Sequence, residues 1–333
     1  MSAQAAQACL THTDVQSTAC IDHPSGYLAL SSRNQRFALE NCPGFIAYRE
    51  QGRHTIAFGG IHSPGLHAKT LLDAFVRFAE ARGRRVLVVQ ARRYQLPLLL
   101  ACGFSVNQLG STYGLRLATH SFAGTRRMKL RNKLHRAQRA GLEVLEIGRE
   151  LPRTPEVFET LRRISDAWLL AKRHKELDFM VGEIGTRDDA RRRLFVVRDA
   201  AGDALGFISY VPAWCDRPGM LHDLTRRLPG APPGSMELCN AFAMKRLREE
   251  GVRFLHFGFT PFIVDAREPA NGNALFAWAI RKLRHHGGWI YPAESQVQYK
   301  MKWGIDFVER EYIAARPLSL RAVWDLLLLT RSV

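Results

Sequence analysis

The order of the predicted secondary structure elements restricts the fold of this chain more than any other feature. A hairpin over residues 44–60 precedes a helix over 66–82, a strand that begins at Arg85, a short helix over 94–101 and a strand over 113–117. The strands are short apolar runs bounded by turn residues, and the helices have apolar residues three or four positions apart. This order predicts a mixed α/β structure that is not a nucleotide-binding crossover series with a Gly-rich phosphate loop.

The second half of the chain repeats this order. We predict helices over 155–172, 235–250 and 273–286, and strands over 193–198, 204–210, 222–225, 254–259 and 309–314, with 298–303 leading into the last strand. Each half resembles a GNAT acyltransferase domain, but neither has the Arg/Gln-x-x-Gly-x-Gly/Ala signature that holds acetyl-CoA. The predicted fold class is α/β, with two tandem GNAT-like acyltransferase domains, mixed sheets flanked by helices, and a different acyl donor.

The predicted domain organisation follows from this repetition. Residues 1–24 are polar and small and are predicted to be a loose N-terminal leader. The first GNAT-like domain is predicted over 25–150 and ends in a basic helix, and the second, over 151–333, contains most of the site. The apolar stretch 318–329 is too short to span a bilayer. It predicts a core or surface-docking helix, with interfacial membrane contact as the alternative.

Residues 126–139 contain seven cationic side chains and no acid. Leu130, Leu134 and Ala137 recur at helical spacing, so one stripe can pack while the other faces present cations. The whole chain has the same bias, with 48 Lys and Arg residues, 31 acids and a formal net charge of +17. The pattern predicts a docking surface for a polyanion, and a solvated charged helix is the alternative.

The cysteines and the N-terminal sequence indicate the cellular compartment in which we expect the protein. The six cysteines are scattered and form no C-x-x-C pair, so neither a zinc site nor a disulfide framework is indicated. No run approaches the ~20 apolar residues of a transmembrane helix, and no signal peptide is visible. We expect a cytoplasmic protein, with the inner face of the membrane as the alternative location.

Five local patterns, in this order along the chain, resemble the patterns of a known protein family. They are Gly103-Phe-Ser-Val-Asn-Gln-Leu-Gly, Asp223-Leu-Thr-Arg226, Pro233-Gly-Ser-Met-Glu237, Phe257-Gly-Phe-Thr-Pro261 and Tyr299-Lys-Met-Lys302-Trp. Over residues 27–316 the chain resembles the C-terminal domain of phosphatidylglycerol lysyltransferase. The resemblance implies two tandem GNAT-like domains and transfer of an aminoacyl group from tRNA to a hydroxyl. Thr225 and Glu237 stand where the family usually has Met and Asp, which leaves the acceptor and the amino acid open.

The patterns also supply the candidate site residues. The predicted catalytic residues are Asp223, Glu237, Lys302 and Arg226. The two acids would bind the α-ammonium, orient the aminoacyl group or accept a proton. The two cations would contact a phosphate or the developing oxyanion. The predicted aromatic substrate contacts are Tyr299, Trp303 and Phe259. The predicted tRNA contacts are Arg126, Lys129, Arg131, Lys133, Arg136 and Arg139. The structural alternatives are that Glu237 only complements its helix dipole, that Asp223 pairs with Arg226, and that Lys302 faces water on a strand.

The predicted function is aminoacyl transfer from tRNA to a hydroxyl or amine. Because an aminoacyl ester is already activated, no cofactor or metal is expected. The acceptor is either a small molecule in a biosynthetic pathway or phosphatidylglycerol, in which case the basic surface also contacts the membrane. The alternative is a non-catalytic RNA-binding module on an acyltransferase fold.

Overall fold

The computed structural model describes residues 18–172, 182–185, 189–264, 276–278, 280, 282, 293–317 and 319–330. The strands are β1 Gln35–Leu39, β2 Cys42–Gln51, β3 His54–His62, β4 Arg85–Arg92, β5 Ser105–Arg116, β6 Glu143–Glu146, β7 Arg193–Arg198, β8 Ala204–Ala213, β9 Gly219–Arg227, β10 Phe254–Pro261 and β11 Phe307–Ala315. The helices are α1 Gly26–Ala29, α2 Gly65–Glu80, α3 Leu96–Ala101, α4 Met128–Arg139, α5 Pro155–Lys172, α6 Ser235–Glu249, α7 Ala293–Met301 and α8 Leu320–Leu329.

Eleven strands of the described chain form one mixed sheet in the order β1-β2-β3-β4-β11-β5-β10-β9-β8-β7-β6. At its centre the two halves exchange their last strands. Strand β5 of the first half pairs antiparallel with β10 of the second half, and β11 of the second half pairs with β4 of the first. The predicted α/β class with GNAT-like halves is confirmed, but the two halves share a single sheet.

Side chains alternate between the two faces of this sheet. Ile208 and Tyr210 point into a core with α4 and α6, and the next residue, Val211, points into a core that includes α1 and α8. Helix α2 covers the first half on the same side as α6, and α5 packs on the side of α8. We call these two sides the α6 face and the α8 face.

Two segments near the predicted domain limits pack differently from the prediction. Residues 18–24 were expected in a loose leader, but His23 is fully buried and its backbone pairs with that of Trp214. Helix α4 was assigned to the first domain, yet it packs against α6, and β6 pairs with β7. By packing, residues 128–146 lie with the second half.

The remaining differences concern the C-terminal third. Lys302 follows the end of α7 and therefore does not lie on a strand, so the structural alternative that placed it on a strand facing water is wrong. The predicted helix over 273–286 lies largely outside the described residues. The apolar stretch near the C-terminus does form a helix, α8. Nowhere in the described ranges is a helix both long and apolar enough to cross a membrane.

Candidate functional site

The first group of candidate residues lies on the α6 face, where one carboxylate contacts two lysines. Glu237 stands in the first turn of α6 and its side chain is 12% exposed. Its Oε1 accepts hydrogen bonds from Lys302 Nζ at 2.9 Å and from Lys133 Nζ at 3.0 Å. Lys302 follows α7 and Lys133 lies on α4. The structure therefore brings together three residues that are far apart in the sequence.

A glycine makes this meeting of helices possible. Gly234 precedes α6 with φ +94°, a conformation that strongly favours glycine, and a Cβ there would lie 2.5 Å from the carbonyl oxygen of Lys133. Only a residue without a side chain lets α4 approach the start of α6 this closely. The basic helix and the candidate carboxylate are adjacent for this reason.

Contacts between Glu237 and the two lysines favour the charged forms of these side chains. Burial alone would raise the pKa of Glu237, but Lys302 and Lys133 hold it below its usual value. Burial lowers the pKa of the Lys302 ammonium, an effect that Glu237 opposes. The result is an ionised carboxylate in contact with a partly buried ammonium, as expected of a group that stabilises developing negative charge.

Aromatic rings surround the Lys302 ammonium. Nζ lies 3.9 Å from the centroid of Tyr299 and 5.5 Å from that of Trp303, which is fully buried. The ring centroids of His222 and Tyr299 lie 6.1 Å apart, and His222 Nε2 is 2.7 Å from Thr225 Oγ1. Burial lowers the pKa of His222 to about 3, so it is neutral at pH 7. Sequence reasoning did not identify His222 as a site residue, and its position directly before Asp223 was the available signal.

Asp223 and Arg226 lie on the opposite, α8 face. Asp223 Oδ2 contacts Arg192 Nη1 at 2.5 Å and Ser209 Oγ at 3.2 Å, and Oδ1 accepts a hydrogen bond from the backbone of Gly182. Among the described residues, Arg192 is the cation that contacts this carboxylate. The alternative of an Asp223–Arg226 pair is therefore wrong. The Arg226 guanidinium stacks over Trp168 at 4.3 Å.

A β-bulge in β9 decides which of these residues share a face. His222 pairs with Tyr210 and Thr225 with Ile208, so three steps along β9 match two along β8. The extra residue leaves His222 and Thr225, three positions apart, on one face, and Asp223 and Arg226, also three positions apart, on the other. The four predicted catalytic residues therefore occupy two places.

The basic helix α4 has one packed stripe, as predicted. Leu130 and Ala137 are buried, and Leu134 is partly buried. The predicted tRNA contacts Arg126, Lys129, Arg136 and Arg139 are exposed. Arg131 is half-buried and donates to the carbonyl oxygens of Phe122 and Gly124, which holds the preceding loop.

Two further residues complete the surroundings. The predicted contact Phe259 packs against the core of the α8 face, apart from Tyr299 and Trp303. Lys300, which the sequence did not single out, is 4% exposed. Its Nζ donates to the carbonyl oxygen of Gly258 at 2.7 Å and to Thr260 Oγ1 at 2.7 Å. These contacts hold a register shift in β10 between His256 and Phe259.

The fold and the comparisons define a class. A mixed sheet of two joined halves flanked by helices is a GNAT-like acyltransferase fold. The family model described as phosphatidylglycerol lysyltransferase, C-terminal, matches residues 17–315, and the chain belongs to this family.

Three relatives give the extent of the likeness. Phosphatidylglycerol lysyltransferase of Staphylococcus epidermidis is 24% identical over 302 residues, which are 91% of this chain and 35% of the relative. The C-terminal domain of a putative lysylphosphatidylglycerol synthetase from Agrobacterium fabrum has a TM-score of 0.77 at 22% identity, covering 96% of this chain and 97% of that one. L-PGS from Bacillus licheniformis has a TM-score of 0.70 at 21% identity, covering 86% and 84%. The two solved structures share the fold, and the chain spans about a third of its curated relative.

Proposed function

We propose that this chain transfers an aminoacyl group from the 3′ end of a tRNA to a hydroxyl or amine acceptor, either phosphatidylglycerol or a small molecule. The observation that supports this most directly is the sharing of Glu237 between Lys133 of the basic helix and Lys302, whose ammonium lies over Tyr299. A polyanion bound along α4 would lead its end to Lys302. Family membership supports the same reaction class.

Further contacts link the basic segment to the residues that follow Lys302. The guanidinium of Arg127 lies against Gly304, where a Cβ would be 2.0 Å from Nη2, and His120 Nε2 is 2.7 Å from the carbonyl oxygen of Trp303. Phosphates of the tRNA acceptor end would meet the exposed cations of α4 and position the donor without reading its sequence.

The reaction requires no further reagent. The acceptor oxygen or nitrogen bonds to the ester carbonyl carbon, the bond to the ribose oxygen breaks, and the acceptor proton ends on the ribose hydroxyl. In this proposal Lys302 stabilises the negative charge that develops on the carbonyl oxygen, and Glu237 orients Lys302. Asp223 acts as a positioning residue, because its carboxylate is already engaged by Arg192 and Ser209.

The test uses tRNAs charged with radiolabelled lysine, alanine or serine. The chain is mixed with each, together with phosphatidylglycerol vesicles or a soluble low-molecular-weight extract. We expect label from one of these tRNAs to enter chloroform if the lipid is the acceptor, or a soluble product if a small molecule is. Binding of charged tRNA without loss of label from any of them would overturn the proposal and leave the RNA-binding module.

The role of α4 is tested by its salt dependence. Substitution of Arg126, Lys129 and Arg136 with Gln should lower the slope of log affinity against log salt by about 2 to 3, because each phosphate contact contributes roughly 0.7 to 0.9. A control variant substitutes Lys69, Arg77 and Arg162, three exposed cations on other helices, and should leave the slope unchanged. Equal effects of the two variants would show non-specific attraction to the net charge.

A further inference from the structure

Helix α8 is apolar on two sides, and the core covers only one of them. Ala322 and Leu326 are buried against the sheet. Leu320, Trp324 and Leu328, each four residues from the next, are 64%, 49% and 37% exposed. A helix with apolar residues on both sides requires a second apolar partner. The family match ends at residue 315, so α8 lies beyond the matched region.

The one acid in α8 belongs to its attachment and does not face outward. Asp325 is fully buried, and its carboxylate contacts His54 Nδ1 at 2.7 Å, the backbone nitrogen of Arg53 at 3.0 Å and Arg321 Nε at 3.0 Å. A Cβ on Gly52, whose φ is +53°, would lie 2.4 Å from this carboxylate. Asp325 therefore fixes α8 to the turn between β2 and β3, and the Leu320–Trp324–Leu328 stripe remains outside.

The surface around this attachment is cationic. Arg53 and Arg85 are exposed, and Arg321 is 59% exposed. The backbone nitrogen of Arg85 donates a hydrogen bond to the carbonyl oxygen of Arg53, which places the two residues beside each other where α8 is attached. Arg84 is next in the chain and pairs with Glu50. An exposed Leu and Trp stripe bordered by arginines combines apolar and cationic groups as interfacial helices do.

We propose that α8 docks this chain on the surface of an anionic phospholipid bilayer, with Leu320, Trp324 and Leu328 at the boundary of headgroups and acyl chains and the neighbouring arginines on lipid phosphates. Ten residues span about 15 Å of helix, which suits a helix lying in the membrane plane. A second copy of the chain is a poorer occupant. Three side chains, of which a Trp buries at most roughly 250 Å², fall short of the ~800 Å² per partner of a stable interface.

Vesicle binding tests the proposal without any transfer reaction, so its result does not depend on the proposed function. The full chain is sedimented with vesicles of phosphatidylcholine alone or with one third phosphatidylglycerol. We expect binding to the mixed vesicles only. The triple variant Leu320→Ser/Trp324→Ser/Leu328→Ser should lose about tenfold or more in binding, because three apolar side chains no longer insert. The double variant Arg53→Gln/Arg85→Gln should lose roughly fivefold per charge.

The control variant places the same change elsewhere. Leu66→Ser/Leu100→Ser/Leu170→Ser alters three other exposed leucines and should bind vesicles as the wild type does. Because all substituted positions are exposed, the far-ultraviolet circular dichroism of each variant should match the wild type. Equal binding by the α8 triple variant, or equal binding to phosphatidylcholine alone, would overturn the proposal. A wild-type dimer that the α8 triple variant dissociates, with no vesicle binding, would assign the stripe to self-association instead.

Discussion

Lys300 and Lys302 are two residues apart and have different surroundings. Lys302 is 25% exposed, pairs with the ionised Glu237 and lies over aromatic rings. Lys300 is 4% exposed and donates to two backbone carbonyls and a hydroxyl at the register shift of β10. Lys300 lies in the last turn of α7 and Lys302 follows its end, so two side chains of the same type contact different groups.

Glu237, near Lys302, and Glu311, near Lys300, differ in the direction of their pKa shifts. Two cations hold the pKa of Glu237 below its usual value, so this acid is charged. Burial raises the pKa of Glu311 to about 8 and lowers that of Lys300 to about 7. Glu311 accepts a hydrogen bond from Thr112, and His23 Nε2 lies 3.6 Å away. The partly exposed Glu237–Lys302 pair is suited to chemistry, whereas the buried Lys300 and Glu311 are suited to holding the joined strands.

The largest effect should come from Lys302→Met. Loss of the ammonium that contacts Glu237 should reduce the rate of aminoacyl transfer by about 10²- to 10³-fold, with a small change in the free energy of unfolding. Transfer of label from charged tRNA measures the first, and urea unfolding the second. Lys245→Met is the matched control, since Lys245 forms an exposed pair with Glu249 on the same helix as Glu237. A wild-type transfer rate in Lys302→Met would remove this residue from the site.

The sequence predicted the partners of this site but not its geometry. Hydrophobic spacing was sufficient for α2, α4 and α6 and for most strands, because each has one apolar face. Family resemblance selected Glu237 and Lys302, and the structure places them 2.9 Å apart. Asp223 lies opposite His222 by ordinary strand alternation, but a β-bulge, for which we could read no local sequence signal, puts Thr225 on the face of His222 and Arg226 on the face of Asp223.

The strand exchange was equally hidden from the sequence. The position of β11 between β4 and β5 depends on contacts between residues about two hundred positions apart, such as Glu311 and Arg92. Periodicity reports which face of a strand is buried and not which strand is its neighbour. The same limit explains Lys300, whose polar partners lie on β10.

The second largest effect should come from Lys300→Met, and it should fall on stability. The substitution leaves the carbonyl oxygen of Gly258 and the hydroxyl of Thr260 without their buried donor, which costs about 1 to 3 kcal/mol. Urea unfolding at pH 6, where the Lys300 ammonium is mostly charged, measures this loss. Lys302→Met in the same assay is the comparison. If both variants lose equal stability, the distinction between the two lysines is wrong.

The smallest effect should be a pH dependence contributed by Glu311. Its pKa is about 8 in the folded chain against an ordinary value of 4.5, so the folded state retains a proton that the unfolded state has released. Stability from this group is complete below pH 4.5 and is lost as the pH rises toward 8. Lys300 acts in the opposite direction only above about pH 7, because its folded pKa lies below the ordinary 10.5. This group alone therefore lowers the free energy of unfolding between pH 5 and 7, while the buried histidines His62 and His222, whose pKa values are lowered to about 4 and about 3, raise it over the same range. Urea unfolding of a substituted chain isolates the share of Glu311.

Glu311→Gln separates this contribution from all other titrations. The amide keeps the shape and can still accept the Thr112 hydrogen bond, but it releases no proton. The difference in unfolding free energy between variant and wild type should grow from pH 5 to pH 7 and level off above about pH 8, since the folded wild type retains a proton that its unfolded state has already released. Other groups facing Glu311 are His23, Arg92, Glu309 and Lys300, and they are common to both proteins and cancel to first order. A difference that stays constant across this range would mean that the folded Glu311 titrates like an exposed acid, and the contrast with Glu237 would then be lost.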